Sequence, residues 1–319
     1  MKKKISIITI TILMIILSGC APSKPTITTT VYPVEYLVKR IGGDYINVKS
    51  LSSSTMIQTS QINPDYNNIL KDTDVLFYIN GLEPYFDIYN KEITDECNNM
   101  VDLGLNSAIY KFNRYSRSYV NDQPVGLETD YYDGNTFNTI DKYNNDPMIW
   151  MDPIAMISMA KTVKEYLVEK YPEYGKAFND NYSKLEAELA RMDAEYQIIN
   201  KERMNISFVS MSSSFGYWQK SYGIKVYPVI QSKYGAIPTD AQLELIKERI
   251  IKDNVKYIAY EPNMNDDMKK VYDELVADCK LMSINLNNIN SITAEDTAAN
   301  RDYMTLMYGN LSELESIAK

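Results

Sequence analysis

The chain has 319 residues, 33 basic and 42 acidic, with a formal charge of -9 and no histidine. That balance excludes a nucleic-acid partner, because phosphate binding relies on clustered Lys and Arg. The length suits two lobes of ordinary domain size.

The first residues read as an export segment. Lys2, Lys3 and Lys4 precede an apolar run from Ile5 to Leu17, which ends in Leu-Ser-Gly-Cys at Cys20. A basic start, an apolar stretch and a small-residue exit describe a signal peptide over 1–19. The run is shorter than the roughly 20 residues of a membrane-spanning helix. Small residues directly before a cysteine resemble the bacterial lipobox, which implies lipidation at Cys20. Residues 20–30 are then expected to form a lipid-anchored Pro/Ser/Thr tether on the extracytoplasmic face of the membrane.

Residues 31–172 are assigned to an N-terminal α/β lobe. "TITTTVY" and "YINVKSL" are β-branched runs, and "DVLFYING" is an apolar strand that ends in Asn-Gly. Between the first two, "PVEYLVKRIGG" starts with Pro33 and stops at two glycines, the pattern of a short helix. Such βα alternation predicts a mostly parallel sheet with helices on its faces. From 106 to 145 the sequence shows no helical or strand period, and it is read as a flap loop. Its acids Glu128, Asp130, Asp133 and Asp141 lack the spacing of a calcium loop, so they are read as solvated.

Residues 173–200 carry the longest helical signal. Tyr174, Phe178, Tyr182, Leu185, Leu189, Met192, Tyr196 and Ile199 recur every three or four positions, which puts one apolar stripe on one face. One linking helix of this length would run about 40 Å, the height of a two-lobed protein. The βα rhythm then returns over 201–319. "NISFVSM", "IKVYPVI", "VKYIAYEPN" and "LMSINL" read as strands, and "TDAQLELIKERIIKDN" and "DDMKKVYDELVADCK" as helices. A further helix is expected from about Ala299 to Ile317. The fold class is therefore α/β: two lobes, each a mostly parallel sheet flanked by helices, joined by one long helix. Cys97 and Cys279 have no spacing that forces a disulfide and are read as isolated thiols.

Ligands of such sheets sit outside the carboxyl ends of the strands. Several motifs fall at those ends: "DPMIWMDP" (146–153), "SMSSSFGYW" (210–218), "YIAYEPN" (257–263) and "LNNIN" (286–290). Together with "NGLEPYFD" and "YGAIPTDAQLELIKERI" they resemble, in order, the zinc- and manganese-binding lipoproteins of bacterial ABC importers, the TroA/ZnuA-like family. The likeness covers essentially the whole mature chain. It implies an extracytoplasmic substrate-binding protein for metal uptake, with zinc or manganese as guest and a permease and an ATPase as partners.

The family's metal ligands are what this sequence lacks. Motif counting puts the first histidine position near Thr59, with a slip of one or two places possible. The second falls on Met148, the third on Ser212 and the acidic fourth on Asn287. Thr, Ser and Asn offer neutral, weak oxygen donors, and a Met thioether prefers Cu(I) to zinc or manganese. Glu261 is the one carboxylate expected nearby, with Trp150, Tyr217 and Tyr260 as aromatic neighbours. Such a cleft suits a small organic ligand or a chelated metal better than a bare metal ion. The alternative is a surface lipoprotein or adhesin-like binding module with no transport role. An enzyme is not indicated: the chain has no nucleophile elbow, no histidine base and no phosphate loop.

Overall fold

The computed structural model describes residues 23–318 apart from 53–55, 122, 203 and 263. The signal segment 1–19 and Cys20 lie outside the described residues.

The N-lobe is built from β1 (Thr26–Thr29), α1 (Tyr32–Gly42), β2 (Asn47–Ser50), α2 (Tyr66–Lys71) and β3 (Val75–Tyr78). It continues through α3 (Pro84–Ile88), α4 (Asn90–Glu96) and β4 (Met100–Asp102). The four strands pair in parallel in the order β2-β1-β3-β4. Residues 26–29, which open the expected strand "TITTTVY" and overlap the end of the expected tether, form a central strand of this sheet. Val75, Leu76 and Phe77 are all buried, as expected of a strand covered on both faces.

The 106–145 segment departs from the expected loop. It contains an antiparallel hairpin, β5 (Arg114–Val120) with β6 (Gln123–Thr129), beside a turn in which Asn121 takes a positive φ of 51°. Val125 and Leu127 on β6 are largely exposed, so no buried face imposes the alternation by which a strand is usually read. The segment's acids are exposed, as expected, and lie within ion-pair reach of surface cations: Glu128 of Lys220, Asp130 of Lys142, Asp133 of Arg249 and Asp141 of Lys233.

Two long helices follow. The sequence reading left α5 (Pro153–Lys170) unassigned; it starts at an Asp152 cap, whose carboxylate accepts from the amides of Ile154 and Ala155. The expected linking helix is α6 (Gly175–Lys201), unbroken for 27 residues. Its stripe, from Phe178 to Ile199, is buried, and it packs against α1 of the N-lobe and elements of the C-lobe.

The C-lobe repeats the N-lobe's plan with β7 (Ser207–Ser210), α7 (Tyr217–Tyr222), β8 (Lys225–Pro228), α8 (Asp240–Lys252), β9 (Tyr257–Tyr260), α9 (Asp266–Cys279) and β10 (Met282–Asn285). Short α10 (Ala294–Ala298) and α11 (Tyr303–Ile317) close the chain. This sheet is also parallel, in the order β10-β9-β7-β8. The strand order reverses once in each sheet, between β1 and β3 and between β7 and β9. A crevice opens at such reversals, outside the carboxyl ends of the two strands. Cys97 and Cys279 are free thiols.

Candidate functional site

The C-lobe reversal is the better-defined of the two. Ser212 lies two residues past the end of β7, and Glu261 directly follows β9. Glu261 is only 1% exposed. Its Oε1 accepts the backbone amide of Ser212 at 2.9 Å, and its Oε2 accepts the Ser212 hydroxyl and the Asn288 amide nitrogen, the latter at 2.7 Å. Burial pushes the carboxyl's pKa up, while these donors pull it back. The carboxylate is therefore fully engaged by its own chain.

Trp150 supports this triangle from the middle of "DPMIWMDP". Its indole N–H donates to the Asn288 carbonyl at 3.1 Å, and the Tyr303 hydroxyl donates to the Trp150 carbonyl at 2.7 Å. The flanking aspartates shape the turns. Asp146 accepts the Met148 amide at 2.9 Å, and Asp152 caps α5. Asp146 is buried, which raises its pKa from 3.8 to about 7. Tyr217 is buried too, and its hydroxyl donates to the Asp146 carbonyl at 3.1 Å. The motif is thus a packed frame around Met148, whose side chain is wholly buried in the main core.

Of the four counted ligand positions, only Ser212 joins the Glu261 network. Thr59 is exposed, whereas its neighbour Gln58 is 4% exposed with neither amide atom hydrogen-bonded. The C-lobe loop reaches this point: a Cβ added to Gly235 would lie 3.1 Å from Gln58 Cβ, and Gly235 has a φ of 72° that only glycine holds without strain. Asn287 is half-buried and turned to local work, its Oδ1 accepting the Ile289 amide at 2.8 Å while its backbone amide and carbonyl bond the Asn310 side chain. Asn288, one residue on, is the side chain that reaches Glu261. Tyr260 points to the opposite face of β9, 41% exposed, against Tyr272.

Sequence reasoning missed Gln58, Asn288 and Glu83, the last a buried acid after β3. Only the burial of adjacent, chemically similar residues separates Gln58 from Thr59 and Asn288 from Asn287. Glu83 stands before a proline in "NGLEPYFD" and reads as a surface helix start.

The donors at the counted positions do not fit zinc or manganese. An exposed threonine hydroxyl, a thioether, a serine hydroxyl already bonded to a carboxylate and an amide engaged by its own turn provide neither imidazole nor several ionised carboxylates. Among the described residues no group of three or more His, Cys, Asp or Glu side chains converges.

The family described as "Zinc-uptake complex component A periplasmic" matches residues 27–317. The chain belongs to this family. The zinc-binding lipoprotein AdcA of Streptococcus pneumoniae is 24% identical, over 98% of this chain and 60% of its own length. The chain thus spans well under two thirds of that relative. The high-affinity zinc uptake system protein ZnuA of Bacillus subtilis is 23% identical, over 93% of this chain and 89% of its own. Among solved structures, the Zn(II)-bound ZnuA-like domain of S. pneumoniae AdcA superposes with a TM-score of 0.68 at 21% identity, covering 92% of this chain and 98% of that one. The laminin-binding protein Lmb of Streptococcus agalactiae, described as having adhesin and metal-transporting activity, gives 0.72 at 18% identity, covering 92% and 98%. These likenesses establish the fold as that of ZnuA-like proteins.

Proposed function

We propose that this chain is the extracytoplasmic binding subunit of an ABC importer whose guest is not a bare zinc or manganese ion. Family membership supports the importer role, a binding function rather than catalysis, and a permease and an ATPase as partners. The names of the relatives support a lipid anchor, which the sequence places at Cys20 after a signal over 1–19. The two lobes, about 31–172 and 201–319, would hold the guest between them with the 173–200 helix as spine. The closed Ser212–Glu261–Asn288 triangle carries the proposal. It occupies a family metal position with hydrogen bonds already satisfied, so a metal would have to break them without gaining a better donor set.

Zinc titration against a fluorescent chelator tests the site. The expected dissociation constant is weaker than about 1 μM, and a nanomolar site in the parent protein would overturn the proposal. The triple change Gln58→His, Met148→His and Ser212→His should tighten zinc binding by about 100-fold or more if the positions converge, because imidazole supplies the missing basicity. Cys20→Ala should release the protein from the membrane fraction. Stimulation of ATP hydrolysis by a reconstituted permease–ATPase pair would support the importer role, and failure of any such pair to respond would count against it.

A further inference from the structure

The N-lobe reversal holds a cavity whose polar lining is unspent. It measures about 240 Å³ and lies past the ends of β1 and β2, closed from the other side by the C-lobe segment 290–292. Glu83, which follows β3 and precedes Pro84 of α3, lines it and is 3% exposed. Neither carboxylate oxygen of Glu83 makes a hydrogen bond of ordinary geometry, although the Thr30 hydroxyl and the Glu83 amide are near enough to favour the ionised form, and its side chain does not cap α3. The hydroxyls of Thr30 and Ser60 and the Oδ1 of Asn290 line the same cavity, are buried, and also lack partners. Native proteins pair nearly all such groups, so four orphans around one cavity mark a missing ligand rather than scattered packing faults.

The chemistry of the orphans identifies that ligand. A carboxylate and an amide oxygen only accept, and a hydroxyl can accept, so the complement is rich in donors. Its charge is positive, because Glu83 is buried and no Lys or Arg lines the cavity among the described residues. Lys142 and Lys233, which line the neighbouring cavity on the other side of Glu83, are directed to Asp130 and Asp141. The absence of a lining cation also disfavours a guest with its own carboxylate, such as an amino acid. Glu35 also lines the cavity but is paired with Lys39, which leaves Glu83 as the carboxylate to be matched, too little charge for a divalent ion, which takes several. The volume exceeds the roughly 30 Å³ share of one water several-fold, so there is room for a short carbon chain. Val31, Ile57 and Ile292 provide apolar wall for that chain.

We propose that this cavity binds a small primary ammonium ion, its three N–H groups donating to Glu83, Asn290 and the Ser60 or Thr30 hydroxyl. The alkyl part lies against Val31, Ile57 and Ile292. The site is separate from the Glu261 triangle, and the inference does not rest on the importer reading.

The test is calorimetric titration of the full chain at pH 8 with n-propylammonium chloride, with tetramethylammonium and potassium chlorides as controls. Propylammonium should bind at about millimolar strength, and tetramethylammonium, with no N–H to donate, at least about tenfold more weakly. Glu83→Gln should abolish the heat, Asn290→Leu should weaken binding by about tenfold, and a change at the exposed Ile251, Ile251→Ala, should leave it unchanged. Because Glu83→Gln removes a buried charge, its melting temperature should not fall, so a lost response cannot be laid to misfolding. Equal binding of potassium would make this an inorganic cation site and overturn the proposal. So would amine binding that survives Glu83→Gln, or no heat with any amine. A nanomolar zinc site in the parent would refute the importer reading above and leave this result standing.

Discussion

Each lobe buries one glutamate at the point where its strand order reverses, and the two have opposite surroundings. Glu261 in the C-lobe accepts three hydrogen bonds from Ser212 and Asn288. Glu83 in the N-lobe is similarly buried and makes no hydrogen bond of ordinary geometry, with only the Thr30 hydroxyl and its own amide as nearby donors. Both carboxyls have raised pKa values with burial as the first cause; the Glu83 value rises to about 7, and at Glu261 the Ser212 and Asn288 donors pull back against burial. The comparison separates burial from satisfaction. A buried carboxylate with its own donors is a structural joint, whereas one without them is a place prepared for something else. The joint lies at the C-lobe reversal, and the unmatched polar groups lie at the N-lobe reversal.

Breaking the joint should give the largest effect. Glu261→Ala strands the Ser212 amide and hydroxyl and the Asn288 amide in a dry site, each worth about 1–3 kcal/mol when left unpaired. The expected loss of stability is about 3 kcal/mol or more in urea denaturation at pH 7. A loss under about 1 kcal/mol would mean that water reaches these donors, and the contrast between the two sites would fail.

The N-lobe should respond in the opposite direction. Burial raises the Glu83 pKa from 4.5 to about 7, with the Thr30 hydroxyl and its own backbone amide pulling it partly back. A raised folded-state value means that the folded protein holds this proton more tightly than the unfolded chain does. Stability from the group is therefore fully present below about pH 4.5 and is lost as pH rises through about 7. Glu83→Gln keeps the shape without the charge, so it should stabilise the protein by about 2 kcal/mol at pH 8 and leave it unchanged at pH 4. Thermal unfolding at the two pH values reads this out, and a destabilised variant at pH 8 would show that Glu83 has a partner.

How much of this could be read from the sequence follows from which residues sit in regular elements. Ser212 and Glu261 lie within two residues of strand ends, and strand counting placed both at the crevice. The α6 stripe was legible because seven turns of one period leave little room for another reading. Gln58 sits in an irregular loop, where a count can slip by one and only packing against Gly235 decides which residue turns inward. At Asn287 and Asn288 the two side chains are identical, and the positive φ of Ile289, 56°, belongs to a turn that no local pattern announces. The β5–β6 hairpin exposes apolar residues, and α5 has Ala155, Met156, Met159, Ala160, Val163 and Leu167 spread among few charges in its first half. Weak period in both cases hides the element. Glu83 is hidden for a different reason: its burial is made partly by the 290–292 segment, some 200 residues away in the chain.

The same substitution made in both places should give the sharpest and smallest contrast. Ser212 and Ser60 are both buried, 3% and 8% exposed, and serine to alanine removes one hydroxyl from each without adding bulk. The Ser212 hydroxyl donates to Glu261 and lies 2.9 Å from the Ser214 hydroxyl, so its loss weakens a satisfied carboxylate. Ser212→Ala should cost about 1–1.5 kcal/mol, the worth of a hydrogen bond to a charged group after water exchange. It should also raise the Glu261 pKa further, since a donor favouring the ionised form is gone. The Ser60 hydroxyl has no partner, so its deletion loses no bond and removes a dehydrated polar group. Ser60→Ala should fall between no change and a gain of about 1 kcal/mol. Chemical denaturation of the two variants in ligand-free buffer at pH 5, where Glu83 is protonated, compares them directly. Equal losses would mean that Ser60 is hydrogen-bonded in solution and the two reversals are alike. Added propylammonium at pH 8 should then narrow the gap, because the amine gives Ser60 the partner that its own chain does not.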